Sequence, residues 1–155
     1  MKESSGLLMY KIVDGKLNVF LVHPGGPFWK DKDKGAWSIP KGEADEFDEG
    51  NLFATAIREF EEETGIFCPK EKQKYFDLGN IKQKSSKIVH AWAFEGDWTG
   101  LLICKSFVEM DFHGKKLKFP EVDRAGFFDI DKAKEKINSA QFELVERLRE
   151  KIKYS

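Results

Sequence analysis

The sequence predicts an α+β fold, a mixed β-sheet held between helices. Three observations carry this reading. Strand-like runs lie both before and after one strongly helical segment, an Asp-Gly hairpin opens the chain, and an amphipathic helix closes it. At 155 residues, 41% hydrophobic and 14% aromatic, the chain can bury a sizeable core. Residues 1–155 read as a single domain, without repeats or a linker.

Residues 7–13 and 17–22 are strand-like and flank Asp14-Gly15, a dipeptide that favours a tight hairpin because both positions tolerate positive φ. A loop rich in Gly, Pro and Lys (23–36) leads to a short apolar piece, Trp37-Ser38-Ile39, and to Pro40-Lys41-Gly42. An acidic loop follows over 43–50. The helix spans about 51–64, with Leu52, Phe53, Ala56, Ile57 and Phe60 on one stripe and Gly65 as its stop. Strands return at 76–81, 88–94, 107–110 and 125–130. Helix begins near Asp131 and resumes near Ser139, with Phe142, Val145, Leu148 and Ile152 forming the apolar stripe that covers the other face of the sheet.

Lys+Arg 26 against Asp+Glu 27 gives a formal net charge of -1, and the pI is near 6.3. Such a balance offers no bulk attraction to nucleic acid or to anionic membrane, so phosphate binding must come from a local site. The longest apolar stretches, 6–10 and 19–22, are far short of a membrane span, and the N-terminus lacks a signal-peptide pattern. A cytoplasmic protein with no membrane or DNA partner is expected. Cys68 and Cys104 lack CxxC spacing, which argues against a disulfide framework and a zinc site; each reads as a small core residue. His23, His90 and His113 are scattered and read as structural or surface residues.

Arg58-Glu59-Phe60-Glu61-Glu62-Glu63 places four carboxylates within five residues. Like-charge neighbours at i,i+3 and i,i+4 cost roughly 0.2–0.5 kcal/mol each on an isolated helix. Glu59, Glu62 and Glu63 cluster within about 100° beside the apolar stripe, while Glu61 points elsewhere. Convergent carboxylates suit hard divalent cations, whose charge offsets the repulsion. A solvated acidic face is the alternative. Arg58 can pair with Glu62 one turn on. Gly42 lets backbone groups approach a ligand closely, and Lys41 beside it can meet phosphate.

Taken as one unit, 42–66 resembles the Nudix box, G-x5-E-x7-R-E-U-x-E-E-x-G-U, where U is apolar. Arg58-Glu59, Phe60, Glu62-Glu63, Gly65 and Ile66 match its second half. The first half departs: Arg58 lies two residues farther from Gly42 than the pattern allows, and Gly50 stands eight before Arg58 in place of Glu. Asp48 or Glu49 could supply that carboxylate. Phe119-Pro120-Glu121-Val122-Asp123 before an aromatic strand is similar to family members that bring a further catalytic Glu from this position.

The resemblance implies a Nudix-type α/β/α sandwich with a curved mixed sheet, and hydrolysis of a nucleoside diphosphate linked to another group. It implies Mg²⁺ as cofactor, with Mn²⁺ as substitute. The expected metal ligands are Glu59 and Glu63, Glu62 as ligand or base, and the Gly42 carbonyl. Glu121 competes for the base role, and Arg58 orients the carboxylates. Lys41 in Pro40-Lys41-Gly42 resembles the branch acting on dinucleoside polyphosphates; nucleoside triphosphates are also expected substrates. Trp29 and Lys30 are candidate contacts to base and phosphate, with a solvated loop as the ordinary alternative. Lys82, Lys84 and Lys87 flank Ser85-Ser86 in an expected exposed hairpin. An RNA 5′-pyrophosphohydrolase is an alternative weakened by the near-neutral charge. A binding module without turnover and a structural protein with an acidic helix remain. Either a monomer or a homodimer is compatible with the sequence.

Overall fold

The computed structural model describes residues 2–48, 50–84 and 86–153. Strands β1 (Lys2–Val13) and β2 (Lys16–Pro24) form the opening hairpin, turning at Asp14 and Gly15 with φ of 51° and 76°. β1 begins five residues earlier than hydrophobic alternation suggests. Ser4 and Ser5 carry no strand signal, yet both are buried, because this half of β1 is flanked by two other strands. One neighbour is β3 (Lys41–Glu43), antiparallel; β5 (Lys87–Glu95) runs parallel. Between them Gly6 has no room for a side chain: a Cβ there would sit 2.5 Å from the Pro40 carbonyl oxygen. The apolar piece Trp37-Ser38-Ile39 makes only isolated bridges, Val22 to Ser38 and Trp37 to Ile137, and the strand follows it.

Helix α1 (Leu52–Thr64) starts where the Asn51 side chain accepts the Ala54 N–H at 3.1 Å. It stops at Gly65, whose φ of 76° aims its N–H at the Glu61 carbonyl. Strands β4 (Tyr75–Lys82) and β5 close a hairpin through Gln83 N–H to Lys87 O; Ser85 within it lies outside the described residues. Strands β6 (Phe107–Phe112) and β7 (Lys115–Pro120) form a separate ribbon, turning at His113 and Gly114 with φ of 52° and 80°. β8 (Val122–Asp129) starts three residues earlier than expected. It also ends one residue earlier, because the Asp129 side chain accepts the Lys132 N–H and starts α2 (Ile130–Lys136). One turn of 3-10 helix at Ser139–Gln141 precedes α3 (Phe142–Lys153).

The main sheet runs β4-β5-β1-β2-β8, with β3 also paired to β1. Alternation along β1 and β2 divides the core. Leu7, Met9, Phe20 and Val22 pack with Ala56 and Phe60 of α1. Leu8, Tyr10, Val19 and Leu21 pack with Ala133, Leu144, Val145 and Leu148 of α2 and α3. The predicted mixed sheet between helices is therefore the observed architecture. Cys68 is buried and Cys104 half-buried, both as free thiols. Among the described residues no helix is long and apolar enough to cross a membrane.

The β2–β8 pairing positions the site. Its register shifts at His23 and Pro24, and Gly25 N–H then donates to the Glu121 carbonyl at 2.9 Å. A Cβ on Gly25 would lie 2.1 Å from the Pro120 carbonyl oxygen, so glycine permits this approach.

Candidate active site

Glu59 and Glu63 lie one turn apart on the side of α1 that faces β3. Gly42 abuts Glu59 so closely that a Cβ there would fall 2.1 Å from the Glu59 carboxyl carbon. Glu121 arrives from the bend between β7 and β8. One carboxylate oxygen from each of Glu59, Glu63 and Glu121 lies within 4.8 Å of the other two. Glu63 is only 4% exposed, and its Oε2 has no hydrogen-bond partner. Burial, reinforced by Glu59 and Glu121, pushes the Glu63 carboxyl well above the usual carboxylate range. Burial also raises Glu59, opposed by Arg58 and assisted by Glu62 and Glu121. Oxygen donors this close, one of them buried and unpartnered, fit a hard divalent cation.

Glu62 stands outside this trio. Its side chain is 43% exposed and accepts from Arg58 Nη1 at 3.3 Å. Arg58 also donates to Glu59 Oε1 at 3.3 Å, to Asp48 Oδ2 at 2.9 Å and to Asp48 Oδ1 at 3.2 Å. The Arg58 hydrogen bonds hold the buried Asp48 carboxyl well below the usual range, and the same bonds raise Arg58. Asp48 thus anchors Arg58 and is not in the trio; Glu49, the other candidate for the displaced box position, lies outside the described residues.

Lys41 is half-buried on β3, where burial and neighbouring Lys87 lower its ammonium and Glu63 opposes them. Trp29 packs partly on the core and lines an apolar cleft that also contains Glu121. Lys30 is exposed and does not line that cleft. The cation that touches the loop aromatics is Lys32, 3.4 Å from the Phe28 ring centroid and 5.3 Å from that of Trp29.

Three participants were not among the expected site residues. Lys105 sits beside Arg58 and Glu62, its N–H donating to the Glu62 carbonyl at 2.6 Å. It belongs to an irregular segment with no periodicity to mark it. His23 is fully buried; its Nε2 donates to the Lys32 carbonyl at 2.6 Å and its Nδ1 pairs with Asp123 Oδ1 at 2.8 Å. It ties the 24–32 loop to the segment that carries Glu121. The β6–β7 ribbon supplies the far wall of the cleft. β6 is the strand expected over 107–110 from its apolar alternation; its partner β7 was not expected.

A family model described as the NUDIX domain matches residues 5–148, and the chain belongs to that family, the Nudix hydrolases. Comparison with curated protein sequences gives no match. Among solved structures, the fold is similar to that in a binary complex of Ap4A hydrolase from C. elegans. The TM-score is 0.67 at 18% identity, with 100% of both chains covered. The NUDIX domain of Shewanella oneidensis NrtR, complexed with ADP ribose, gives a TM-score of 0.67 at 16% identity, covering 98% of this chain and 88% of that one. The MutT protein from Methanosarcina mazei Go1 gives 0.59 at 18% identity, covering 98% and 95%.

Proposed function

We propose that the protein hydrolyses a phosphoanhydride bond in a nucleoside diphosphate linked to a further group, first among them a dinucleoside polyphosphate, with Mg²⁺ or Mn²⁺ as cofactor. The observation that carries this reading is the Glu59, Glu63 and Glu121 trio with its buried, unpartnered Glu63 oxygen. Glu59, Glu63 and the Gly42 backbone hold the cation, which when bound supplies positive charge to phosphate oxygens in a site otherwise hostile to anions. Lys41, next to Gly42 on β3, is the cation placed to meet a phosphate oxygen.

Water attacks phosphorus, its proton passes to a carboxylate, and the bridging P–O bond breaks with departure of a nucleotide phosphate. Glu121 is the better base, because it stands in the carboxylate trio, whereas the Glu62 carboxylate lies outside it and is held by Arg58. Arg58 orients Glu59 and Glu62. The C. elegans Ap4A hydrolase among the similar structures supports the dinucleotide substrate. The Shewanella NUDIX domain complexed with ADP ribose supports a second reading, nucleotide binding without turnover.

The test is chromatographic resolution of products from dinucleoside polyphosphates, nucleoside triphosphates, nucleotide sugars and triphosphorylated RNA, with Mg²⁺, with Mn²⁺ and with chelator. Metal-dependent cleavage that is lost in Glu63→Gln and falls further in Glu121→Gln than in Glu62→Gln upholds the assignment. Equal activity in all three variants would overturn it, and nucleotide binding without cleavage would favour the second reading.

A further inference from the structure

We infer that His23 is a positioning residue for Glu121 and acts as a cation: a buried imidazolium that donates from both ring nitrogens and clamps the 24–32 loop to the segment bearing Glu121. Its effect on turnover rests on the hydrolase reading above; its charge does not.

Both ring nitrogens face acceptors. Nε2 lies 2.6 Å from the Lys32 carbonyl oxygen, and Nδ1 lies 2.8 Å from Asp123 Oδ1. A carbonyl oxygen only accepts, and so does an ionised carboxylate, whereas a neutral imidazole has a single N–H to give. Satisfying both partners therefore takes a second ring proton. Both separations are shorter than the about 2.9–3.0 Å usual for a neutral N–H···O bond, as charge-assisted bonds are. The competing arrangement puts that proton on Asp123 and leaves Nδ1 bare. Its surroundings oppose this: the Asp123 side chain is 35% exposed, and Arg124 Nε stands 3.6 Å from the same oxygen that meets His23. Water and a guanidinium both favour the ionised carboxylate.

The ring has no access to solvent, so its charge must be balanced by its neighbours. From β8, Asp123 supplies the opposite charge and Arg124 pairs in turn with Asp123. From the loop, the ring meets the Lys32 carbonyl, while the Lys32 ammonium lies against the Phe28 ring. Trp37, uncharged, stands edge-on at 5.3 Å between centroids. Beyond it, Asp33 accepts the Trp37 indole N–H and pairs with Lys136 of α2.

The clamp sits where the site is assembled. β2 shifts its register against β8 at His23 and Pro24, and two residues past His23 the Gly25 N–H donates to the Glu121 carbonyl. Glu121 is thus held at its own carbonyl by Gly25 and, two residues on, through Asp123 by His23. Loss of one ring proton breaks the second hold. A neutral imidazole keeps one N–H, so either the Lys32 carbonyl or Asp123 loses its donor and meets a nitrogen lone pair at close range. The proton leaves to water by way of Asp123, the partner with solvent access. Loop and segment then part on that side, and the trio loses its fixed third carboxylate.

Two measurements test this independently. The first is the ¹⁵N NMR spectrum of the wild-type histidine rings, assigned among His23, His90 and His113 with His90→Gln and His113→Asn. At about pH 7 His23 should show two protonated nitrogens. One protonated and one bare nitrogen overturns the inference, whatever the enzyme does. The second is kcat and KM for a dinucleoside tetraphosphate with Mg²⁺ as pH rises. Across the pH at which the His23 signals report loss of the second proton, kcat should fall about tenfold or more while KM changes by less than about threefold. In Asp123→Asn the amide N–H donates to a bare Nδ1, so the neutral ring keeps both bonds. That variant should show one protonated ring nitrogen at about pH 7 and should lose this fall in kcat. A wild-type kcat that is level across the nitrogen transition overturns the positioning role, and so does an Asp123→Asn profile that falls as the wild type does. If no substrate is cleaved, the hydrolase reading fails, and amide exchange reads the clamp instead. Protection over 24–32 and 121–123, corrected for intrinsic exchange, should drop across the same transition in wild type and stay level in Asp123→Asn; equal behaviour of the two proteins removes the clamp.

Discussion

Arg58 donates from Nη2 to Asp48 Oδ2 at 2.9 Å, reaching ten residues back across the loop whose length departs from the family spacing. The longer loop therefore still ends on a carboxylate that serves the site, through Arg58. Asp48 lies below its ordinary range, so its contribution to stability is present above the unfolded-state value near about 3.9 and is lost as pH falls through the folded value. Asp48→Asn should cost about 1–3 kcal/mol at neutral pH by removing a charged acceptor from a largely buried pair. Urea melts across pH check this: the gap between variant and wild type should close on acidification.

Glu63 carries the opposite sign. Its carboxyl is raised in the fold, so the stability linked to its neutral form is present below the unfolded-state value near about 4.3 and is lost as pH rises through the raised folded value. The metal-free protein should thus lose Tm with rising pH, and Glu63→Gln should be the more stable of the two at about pH 8, by roughly 1–3 kcal/mol. A divalent cation at 100 times its Kd should return about 2.7 kcal/mol to wild type and far less to the variant. Thermal melts with chelator and with Mg²⁺ read both effects. A Glu63→Gln protein less stable than wild type in chelator at that pH would refute the buried-charge account.

Legibility tracks the range of the interactions. α1 was readable almost to the residue because its cap at Asn51, stripe and stop at Gly65 are all local. The β1–β2 hairpin was readable for the same reason. β7 was missed: Lys115, Lys116 and Lys118 dilute its alternation, and it belongs to a ribbon outside the main sheet. β3 is three residues long and exists because β1 is there to pair with it. The sequence placed Glu59, Glu62 and Glu63 on one side of a helix, but which carboxylates actually converge depends on the β2–β8 register shift, which brings in Glu121. Glu121 was legible as a candidate from Phe119-Pro120-Glu121-Val122-Asp123, but that it stands with Glu59 and Glu63 in place of Glu62 depends on pairing between strands distant in sequence. His23 read as an ordinary core or surface histidine because Asp123, its partner, lies 100 residues away.

His23 is consequently a strong test of loop positioning. Replacing it with Ala removes both hydrogen bonds from a fully buried site and leaves the Lys32 carbonyl and Asp123 to find other partners. A cost of about 2–4 kcal/mol is expected, from a cavity combined with orphaned acceptors. Amide exchange should accelerate over 24–36 and in the 121–123 segment, while α3 stays protected. Uniform acceleration throughout the protein would mean that His23 supports the whole core and not this junction.

Gln141 plays the corresponding part for the strand that carries Lys41 and Gly42. It is fully buried at the turn before α3; its Oε1 accepts the Ile39 N–H at 3.0 Å, and its Nε2 donates to Ser38 Oγ at 3.0 Å and to Gln83 Oε1 at 3.1 Å. Gln141→Leu keeps most of the volume but strands the Ile39 N–H, so a loss of about 1–3 kcal/mol is expected. Gln141→Glu should be worse at neutral pH: it retains the acceptor for Ile39, yet it presents a buried carboxylate to Gln83 Oε1 in place of a donor. Protonation would restore an O–H donor, so the deficit of the Glu variant should shrink as pH falls while that of the Leu variant stays level. Parallel denaturant melts at about pH 5 and pH 8 distinguish the two curves, and a Glu variant whose deficit is unchanged between them would show that the site is open to water.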